Sequence, residues 1–295
     1  MNDQVDLAII IVSWNCRKYL KSCLKSIFQS KKDSSVEIFV VDNNSSDGTV
    51  EMVKKEFPKV QLIANNFNAG FAKANNQALK IAKGKYLLLL NPDTEVKADT
   101  LTKAVAYLND HPKAGIMGCK ILNPNGSLQN SVRRFPNLSS QILILLKFHN
   151  FFPDLEPLKK YFAKDFNYHK EQEADQIMGA FFMIRKECLD EIGLFDEKFW
   201  LWFEEVDFCK RVKDKGWKVL YTPELEIIHA QGKSFAQIKA VKEQIIFNRS
   251  LLYYFRKHFS PIEYLILLLF YPLNLFLALI VEILESLSLN PKQSN

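Results

Sequence analysis

Four times between Leu7 and Asp93 an apolar run stops at a cluster of polar residues, and this repeat constrains the fold more than any other feature. Leu7–Ser13 is continuously apolar with a β-branched centre, which suits a strand buried on both faces. The next segment carries Leu20, Leu24, Ile27 and Phe28 at helical spacing on one face. Val36–Val41 reads as a second strand, ended by turn-forming residues from Asp42 to Gly48. Thr49–Phe57 predicts a helix, Val60–Ala64 a third strand, Asn65–Gly70 a loop and Phe71–Ala82 a helix. Lys85–Leu90 is a fourth strand stopped by Asn91-Pro92-Asp93, followed by a helix over Ala98–Asn109 and a strand near Gly115–Ile121. Such alternation predicts an α/β fold whose mostly parallel sheet is covered by helices on both faces. Ligands of such sheets bind beyond the carboxyl ends of the strands. The clusters Ser13-Trp14-Asn15, Asp42–Asp47, Asn65–Gly70 and Asn91–Asp93 all fall on that edge.

The rest of the chain is less regular. Residues 123–175 are rich in aromatic and loop residues, Gln176–Arg185 reads as a strand, and Glu226–Ile228 as another. Residues 264–281 contain no charge and are interrupted only by Pro272 and Asn274, with Arg256, Lys257 and His258 upstream. That length is at the lower limit for a membrane span. A kinked, re-entrant or interfacial segment fits equally, as does a helix packed on the core or on a partner. The net charge of +6 suits an anionic ligand or membrane surface, and no basic run interleaved with aromatics suggests nucleic acid. Five dispersed cysteines form no Cys-x-x-Cys pair, so buried thiols in a reducing cytoplasm are expected rather than a zinc cluster or disulfides. The amino terminus lacks the basic start and cleavage site of a secretory signal.

Asp93, at the polar end of a buried strand, is placed to hold a divalent cation that bridges two phosphates, with Asn91 and Glu95 as further oxygen donors. Asn-Pro-Asp-Thr is also a good strand exit without any metal. Glu204, Glu205 and Asp207 crowd three carboxylates into four residues, which raises at least one pKa and suits a general base. On a helix Asp207 and Arg211 pair at i, i+4, so an ordinary solvated face is the alternative, although bulky apolar neighbours from Phe199 to Phe203 argue against it. His229 gains meaning only if it lies near Asp93, and Gly232 permits a close backbone approach to phosphate. Asp42 and Asn44 end the second strand, where a carboxylate can accept from a pyrimidine N–H, or simply cap the next helix. Arg133 and Arg134 read either as contacts to a diphosphate or acceptor or as surface arginines. The fingerprints of dinucleotide-binding folds and phosphate-loop NTPases are missing.

Six segments in order carry a resemblance. They are Ile11–Asn15, Val40–Gly48, Asn66–Asn76, Leu89–Thr94, Gly179–Arg185 and Phe203–Arg211. Over roughly residues 5–235 the chain resembles family 2 glycosyltransferases, and more narrowly their bacterial rhamnosyltransferase-like branch. The resemblance implies a GT-A fold, an inverting mechanism, and a dTDP- or UDP-sugar donor bound with Mg²⁺ or Mn²⁺. It implies that Asp42 holds the base and that Ser13, Trp14, Asn15, Asn44, Asn68 and Gly70 line the nucleotide cleft, with Asn91, Asp93 and Arg133 among the nucleotide-sugar-binding residues. Asp93 matches the last acid of the family's Asp-x-Asp motif, and Asn91 replaces the first. Glu205 falls at the catalytic base, with Glu204 the adjacent candidate, and His229 joins Asp93 at the metal. Rhamnose is the favoured sugar, and a polyprenyl-diphosphate-linked glycan in surface-polysaccharide synthesis is the acceptor. The expected organisation is a glycosyltransferase domain over residues 1–240, divided near 122 into nucleotide and acceptor halves. A helical segment over 241–295 would hold it on the cytoplasmic face of the membrane. A sugar-1-phosphate nucleotidyltransferase would carry a Gly-rich basic loop that residues 9–20 lack. A non-catalytic sugar-nucleotide-binding protein would have no need of both Asp93 and Glu205.

Overall fold

Residues 7–11 have no solvent exposure at all, which is possible only for a strand in the middle of a sheet that is covered on both faces. A computed structural model, describing residues 5–31, 35–230 and 240–288, places this strand there. In chain order the strands are β1 (Leu7–Ser13), β2 (Val36–Asp42), β3 (Gln61–Ala64), β4 (Tyr86–Leu90), β5 (Thr94–Val96) and β6 (Ala114–Leu122), then β7 (Leu128–Gln129), β8 (Val132–Arg133), β9 (Gln172–Glu173), β10 (Gln176–Ile177), β11 (Phe181–Arg185) and β12 (Lys218–His229). The helices are α1 (Arg17–Gln29), α2 (Thr49–Glu56), α3 (Phe71–Leu79), α4 (Thr100–Asp110) and α5 (Leu138–Leu145), then α6 (Glu156–Tyr161), α7 (Lys186–Ile192), α8 (Glu204–Asp214), α9 (Ala240–His258) and α10 (Pro261–Ser288).

The main sheet runs β3-β2-β1-β4-β11-β6-β12-β5. Alternation along each strand divides the core between its faces. Leu7, Ile9 and Ile11 of β1 and Tyr86, Leu88 and Leu90 of β4 pack with α1, α2 and α4. Ala8, Ile10, Leu87 and Leu89 point the other way, against α3, α7 and α8. The neighbours of β1 and the β6–β12 pair are parallel, as expected. All five cysteines are buried and none is in a disulfide.

The expected strand Gln176–Arg185 is two strands. Gln176–Ile177 pairs with β8 in a separate two-stranded sheet, while Phe181–Arg185 enters the main sheet antiparallel to β4 and β6. Topology explains the direction: residues 123–180 leave from the carboxyl end of β6 and return to that same edge, so the chain can re-enter only by running back. β5, too short for periodicity to reveal, pairs antiparallel with β12 and sets His229 opposite Thr94. That register is what brings His229 to the Asp93 loop. The strand expected over Glu226–Ile228 extends over all of Lys218–His229.

The carboxyl-terminal helices form a third core with α5 and the segment before α8, centred on Phe199, Phe203, Leu251, Tyr254, Phe255 and Leu267. Ser250 Oγ donates to the Leu201 carbonyl (2.7 Å), and Tyr253 and Lys257 both bond Asp196, so α9 braces residues 196–203.

Candidate active site

At the carboxyl edge of the sheet lies a cleft of about 450 Å³. Val12 lies near the end of β1, Trp14 and Asn43 follow β1 and β2, Asn68 and Gly70 come from the loop before α3, and Asn91–Asp93 follow β4. The opposite wall is Asn130, Ser131, Arg133 and Gln176–Ala180; Trp200–Val206, with Glu243 and Phe247 of α9, complete the cleft. Trp14, Asn68, Gly70, Asn91, Asp93, Arg133, Glu204, Glu205 and His229 therefore face one space.

Four expected nucleotide-cleft residues, Ser13, Asn15, Asp42 and Asn44, do not line it. Ser13 is fully buried, with Oγ 3.2 Å from Cys16 Sγ. Asn15 and Asn44 adopt positive φ (47° and 64°), a region asparagine tolerates better than most residues. Asn15 Oδ1 accepts from the Ser46 N–H (2.8 Å), tying the first two loops together. Asp42 is 1% exposed; its Oδ2 accepts from the Ser45 N–H, while its Oδ1 is buried without a partner. Glu95, considered as a further donor, is exposed on β5 and does not line the cleft. Arg134 pairs with Asp165 at the surface (3.3 Å), whereas Arg133 lies over the Tyr161 and Phe162 rings. Gly232 lies outside the described residues.

Sequence reasoning passed over Asn43. Its Nδ2 donates to the Gly70 carbonyl (3.1 Å) and its Oδ1 accepts from Asn65 Nδ2 (3.0 Å), so it shapes the loop beside the cleft. At Gly70 φ is +81° and an added Cβ would lie 2.3 Å from the Trp200 carbonyl oxygen, leaving room for glycine alone.

The Asp93 and His229 side chains, 6% and 4% exposed, meet with Oδ1 and Nε2 3.2 Å apart. Asn91 presents its amide nitrogen, not its oxygen, to the same Nε2 at 3.4 Å. On the other side of the ring, His229 Nδ1 is 2.6 Å from Gln129 Oε1. Gln129 was not foreseen; it arrives because β7 and β12 both pair with Ile121 of β6. Among the described residues no group of three or more His, Cys, Asp or Glu side chains could hold a metal.

Glu204 and Glu205 open α8, and each has an Oε2 buried without a partner. Burial pushes the Glu204 carboxyl well above the ordinary carboxylate range, and the Glu205 charge adds to the rise. Burial also raises Glu205, against the opposing effects of a backbone hydrogen bond and the Arg133 charge. Before them, Trp202 and Phe203 are both left-handed (φ 63° and 68°), a conformation costing roughly 1–2 kcal/mol per residue. Packing of both rings on Phe247, and of Phe203 on Tyr254, holds this turn in place. Asp207 turns away from the cleft, pairing with Arg211 as the helical spacing predicts and also with Lys257 and His258.

Residues 8–193 match the family described as glycosyl transferase family 2. The chain is 23% identical over 239 residues to an N-acetylglucosaminyl-diphospho-decaprenol L-rhamnosyltransferase of Mycobacterium tuberculosis, covering 77% of each protein. It is 28% identical over 229 residues to the rhamnosyltransferase WbbL of Escherichia coli K12, covering 75% of this chain and 82% of that one. A mannosyltransferase from Pyrobaculum calidifontis, solved in complex with GDP-Man and Mn²⁺, superposes with a TM-score of 0.58 at 18% identity. That likeness covers 97% of this chain and 76% of the other, and it shows a shared GT-A fold.

Proposed function

The chain belongs to family 2 of the glycosyl transferases, and we propose that it transfers rhamnose, with inversion, from a nucleotide-sugar donor to a hydroxyl of a polyprenyl-diphosphate-linked glycan. The observation that carries this reading is a single cleft with two opposed kinds of chemistry: Asp93 and His229 at the sheet edge, and Glu204 and Glu205 at the start of α8. The names of the two rhamnosyltransferase relatives support the sugar, and that of the mycobacterial one supports a lipid diphosphate acceptor.

The donor's base is assigned to the end of the cleft lined by Trp14 and Asn43; Asp42 does not line it, but its buried Oδ1 beside Asn43 has no partner and is the acceptor assigned to a pyrimidine N–H such as that of dTDP or UDP. Asp93 and His229 would hold a divalent cation, because a carboxylate oxygen and an imidazole nitrogen, both suitable donors, meet 3.2 Å apart at the cleft. Mg²⁺ or Mn²⁺ would suit so few protein donors, since either ion also binds substrate phosphates. Bound there, the cation would neutralise the charge that develops on the diphosphate leaving group. Arg133, held over Tyr161 and Phe162, adds a second positive charge to the same cleft.

Of the two glutamates, Glu205 is assigned as general base. Glu204 is the more deeply buried and is raised further by its neighbour, so it retains the proton, while Arg133 favours the ionised form of Glu205. The Glu205 carboxylate takes the acceptor hydroxyl proton as the acceptor oxygen attacks the anomeric carbon. The bond from that carbon to the diphosphate oxygen breaks, its electron pair leaving with the nucleoside diphosphate. In a panel of sugar nucleotides offered with Mn²⁺ and a polyprenyl-diphosphate-linked N-acetylglucosamine, dTDP-rhamnose is expected to raise the melting temperature and be consumed. Failure of every sugar nucleotide to bind or turn over would sink the reading.

Enzyme and lipid acceptor are proposed to meet on the cytoplasmic face of the membrane, with α10 in the plane of the interface. Pro261–Ile283 is long and apolar enough to cross a membrane, but Leu267, Asn274 and Ala278 form an inward stripe packed on the protein. Asn274 bonds Asn248 and the Leu145 carbonyl, so the polar residue that interrupts the sequence run is absorbed inside. The outward stripe of Ile262, Leu265, Leu269, Leu273, Phe276, Ile280 and Ile283 is wholly apolar. One face to protein and one to lipid describes a helix lying on the membrane. Leu269→Glu with Phe276→Glu removes two anchors worth roughly 1.5–3 kcal/mol each. Sedimentation with anionic vesicles is expected to fall by more than about tenfold, whereas unchanged sedimentation would discard the α10 anchor.

A further inference from the structure

The hydrogen bonds behind His229 have a direction, and it is fixed from a backbone group outward. The Ser127 N–H donates to Asn125 Oδ1 (3.0 Å), which identifies that atom as the amide oxygen. Ser127 Oγ also lies 2.7 Å from this oxygen, so its only hydrogen is spent there and it must accept from Asn123 Nδ2 (2.9 Å). Asn123 Oδ1 then accepts from Gln129 Nε2 (2.9 Å), leaving Gln129 Oε1 to face His229 Nδ1 at 2.6 Å. An amide oxygen can only accept, so Nδ1 carries a hydrogen. The reverse polarity would leave the Ser127–Asn125 contact as two oxygens with no hydrogen between them.

We propose that Gln129 is a positioning residue: by accepting from the Nδ1–H it fixes the His229 ring with Nε2 as the atom turned to Asp93. The proposal rests on the cation site described above and says how that site is kept ready. An imidazole free to exchange tautomers would spend part of its time with an Nε2–H aimed at the cation position, where it can donate but not ligate. Gln129 is 6% exposed and Nδ1 is held inside, so water cannot replace the amide at little cost. Partners of this kind behind a metal-binding histidine typically change metal affinity by about 10–100-fold when lost.

The test uses the full chain labelled with ¹⁵N-histidine and free of metal, with the His229 signals assigned by their loss in His229→Gln. Long-range ¹H–¹⁵N spectra of the native protein are expected to show a hydrogen on Nδ1. Gln129→Met, which keeps the length of the side chain but removes the strong acceptor, is expected to give a mixture or the Nε2–H form, with Mn²⁺ affinity by EPR titration down about 10–100-fold. Gln129→Glu keeps an oxygen toward Nδ1 while giving up the bond to Asn123, and is expected to retain the Nδ1 hydrogen and most of the affinity; if the methionine variant fails to fold, loss of both in a folded Gln129→Glu protein overturns the proposal. A native protein with no hydrogen on Nδ1, or a Gln129→Met protein that changes neither the Nδ1 hydrogen nor the affinity, overturns the proposal. A native protein that binds no Mn²⁺ yet shows Gln129-dependent Nδ1–H would defeat the cation reading and leave the positioning role standing.

Discussion

Glutamine at position 205 is expected to lower turnover by roughly 10²–10⁴-fold, the usual contribution of a positioned general base, while nucleotide affinity stays close to that of the native protein. The substitution keeps the shape of the side chain and removes only its ability to take a proton. Glu204→Gln separates the two candidates. If Glu204 holds its proton through the reaction, an amide is a fair copy of it, and turnover should stay within about tenfold of native. Comparable losses in both variants would reverse the assignment or make the pair act together. The pH dependence has a definite sign. Burial raises the Glu205 pKa, and a base works only when ionised, so turnover should rise with pH through a midpoint above the ordinary carboxylate value and fall on the acid side. Rate profiles of native enzyme and Glu204→Gln under saturating donor would show this limb. A profile flat down to the ordinary carboxylate range would remove Glu205 from the base role.

Much of the scaffold was legible because the strands are fully buried and so spell their faces without polar interruption. Leu7–Ser13 matched its expected bounds, and Val36–Val41 fell one residue short of the strand observed. The place of the candidate cleft was legible for the same reason, since the parallel strands β1, β2 and β4 end where it begins. What the sequence could not show is whatever depends on register between distant segments. Asp93 and His229 are 136 positions apart and meet only because three residues of β5 pair with the end of β12. Gln129 belongs to a two-residue strand in the irregular middle, with no periodic pattern to mark it. Asn43 lay between two residues that were singled out, and its role as a loop brace needs Asn65, Ala69 and Gly70 folded around it. Asp207 was half read: Arg211 follows from helical spacing, while Lys257 and His258 come from a helix some fifty residues on.

That pairing makes Asp207 the carboxylate in the acidic segment on which folding should depend most. Its side chain is fully buried, yet Arg211 Nε lies at 2.9 Å, Lys257 Nζ at 2.7 Å and His258 Nε2 at 2.7 Å. Alanine there would leave an apolar hole beside these three side chains, with Lys257 still on Asp196 and Arg211 on the Ile192 and Leu194 carbonyls, and cut the link between α8, which carries the glutamates, and α9, which lines the cleft. Breaking a buried pair costs about 3–5 kcal/mol. The low end, about 3 kcal/mol, is expected because Arg211 and Lys257 are each partly exposed and can turn to water. For a domain of this size that corresponds to a fall of roughly 5–10 °C in melting temperature. Burial alone would raise the Asp207 pKa, but hydrogen bonds from His258 and Lys257, with the Arg211 charge, hold it below its ordinary value. A depressed carboxylate pKa contributes stability that is complete above the unfolded pKa, about 3.9, and is lost as pH falls through the folded one. The gap in melting temperature between native protein and Asp207→Asn should therefore be widest above about pH 4 and narrow below it. At temperatures where both variants remain folded, turnover should fall far less than in Glu205→Gln, since Asp207 faces α9 rather than the cleft. A variant that melts like the native protein but loses turnover as Glu205→Gln does would transfer the catalytic role to Asp207.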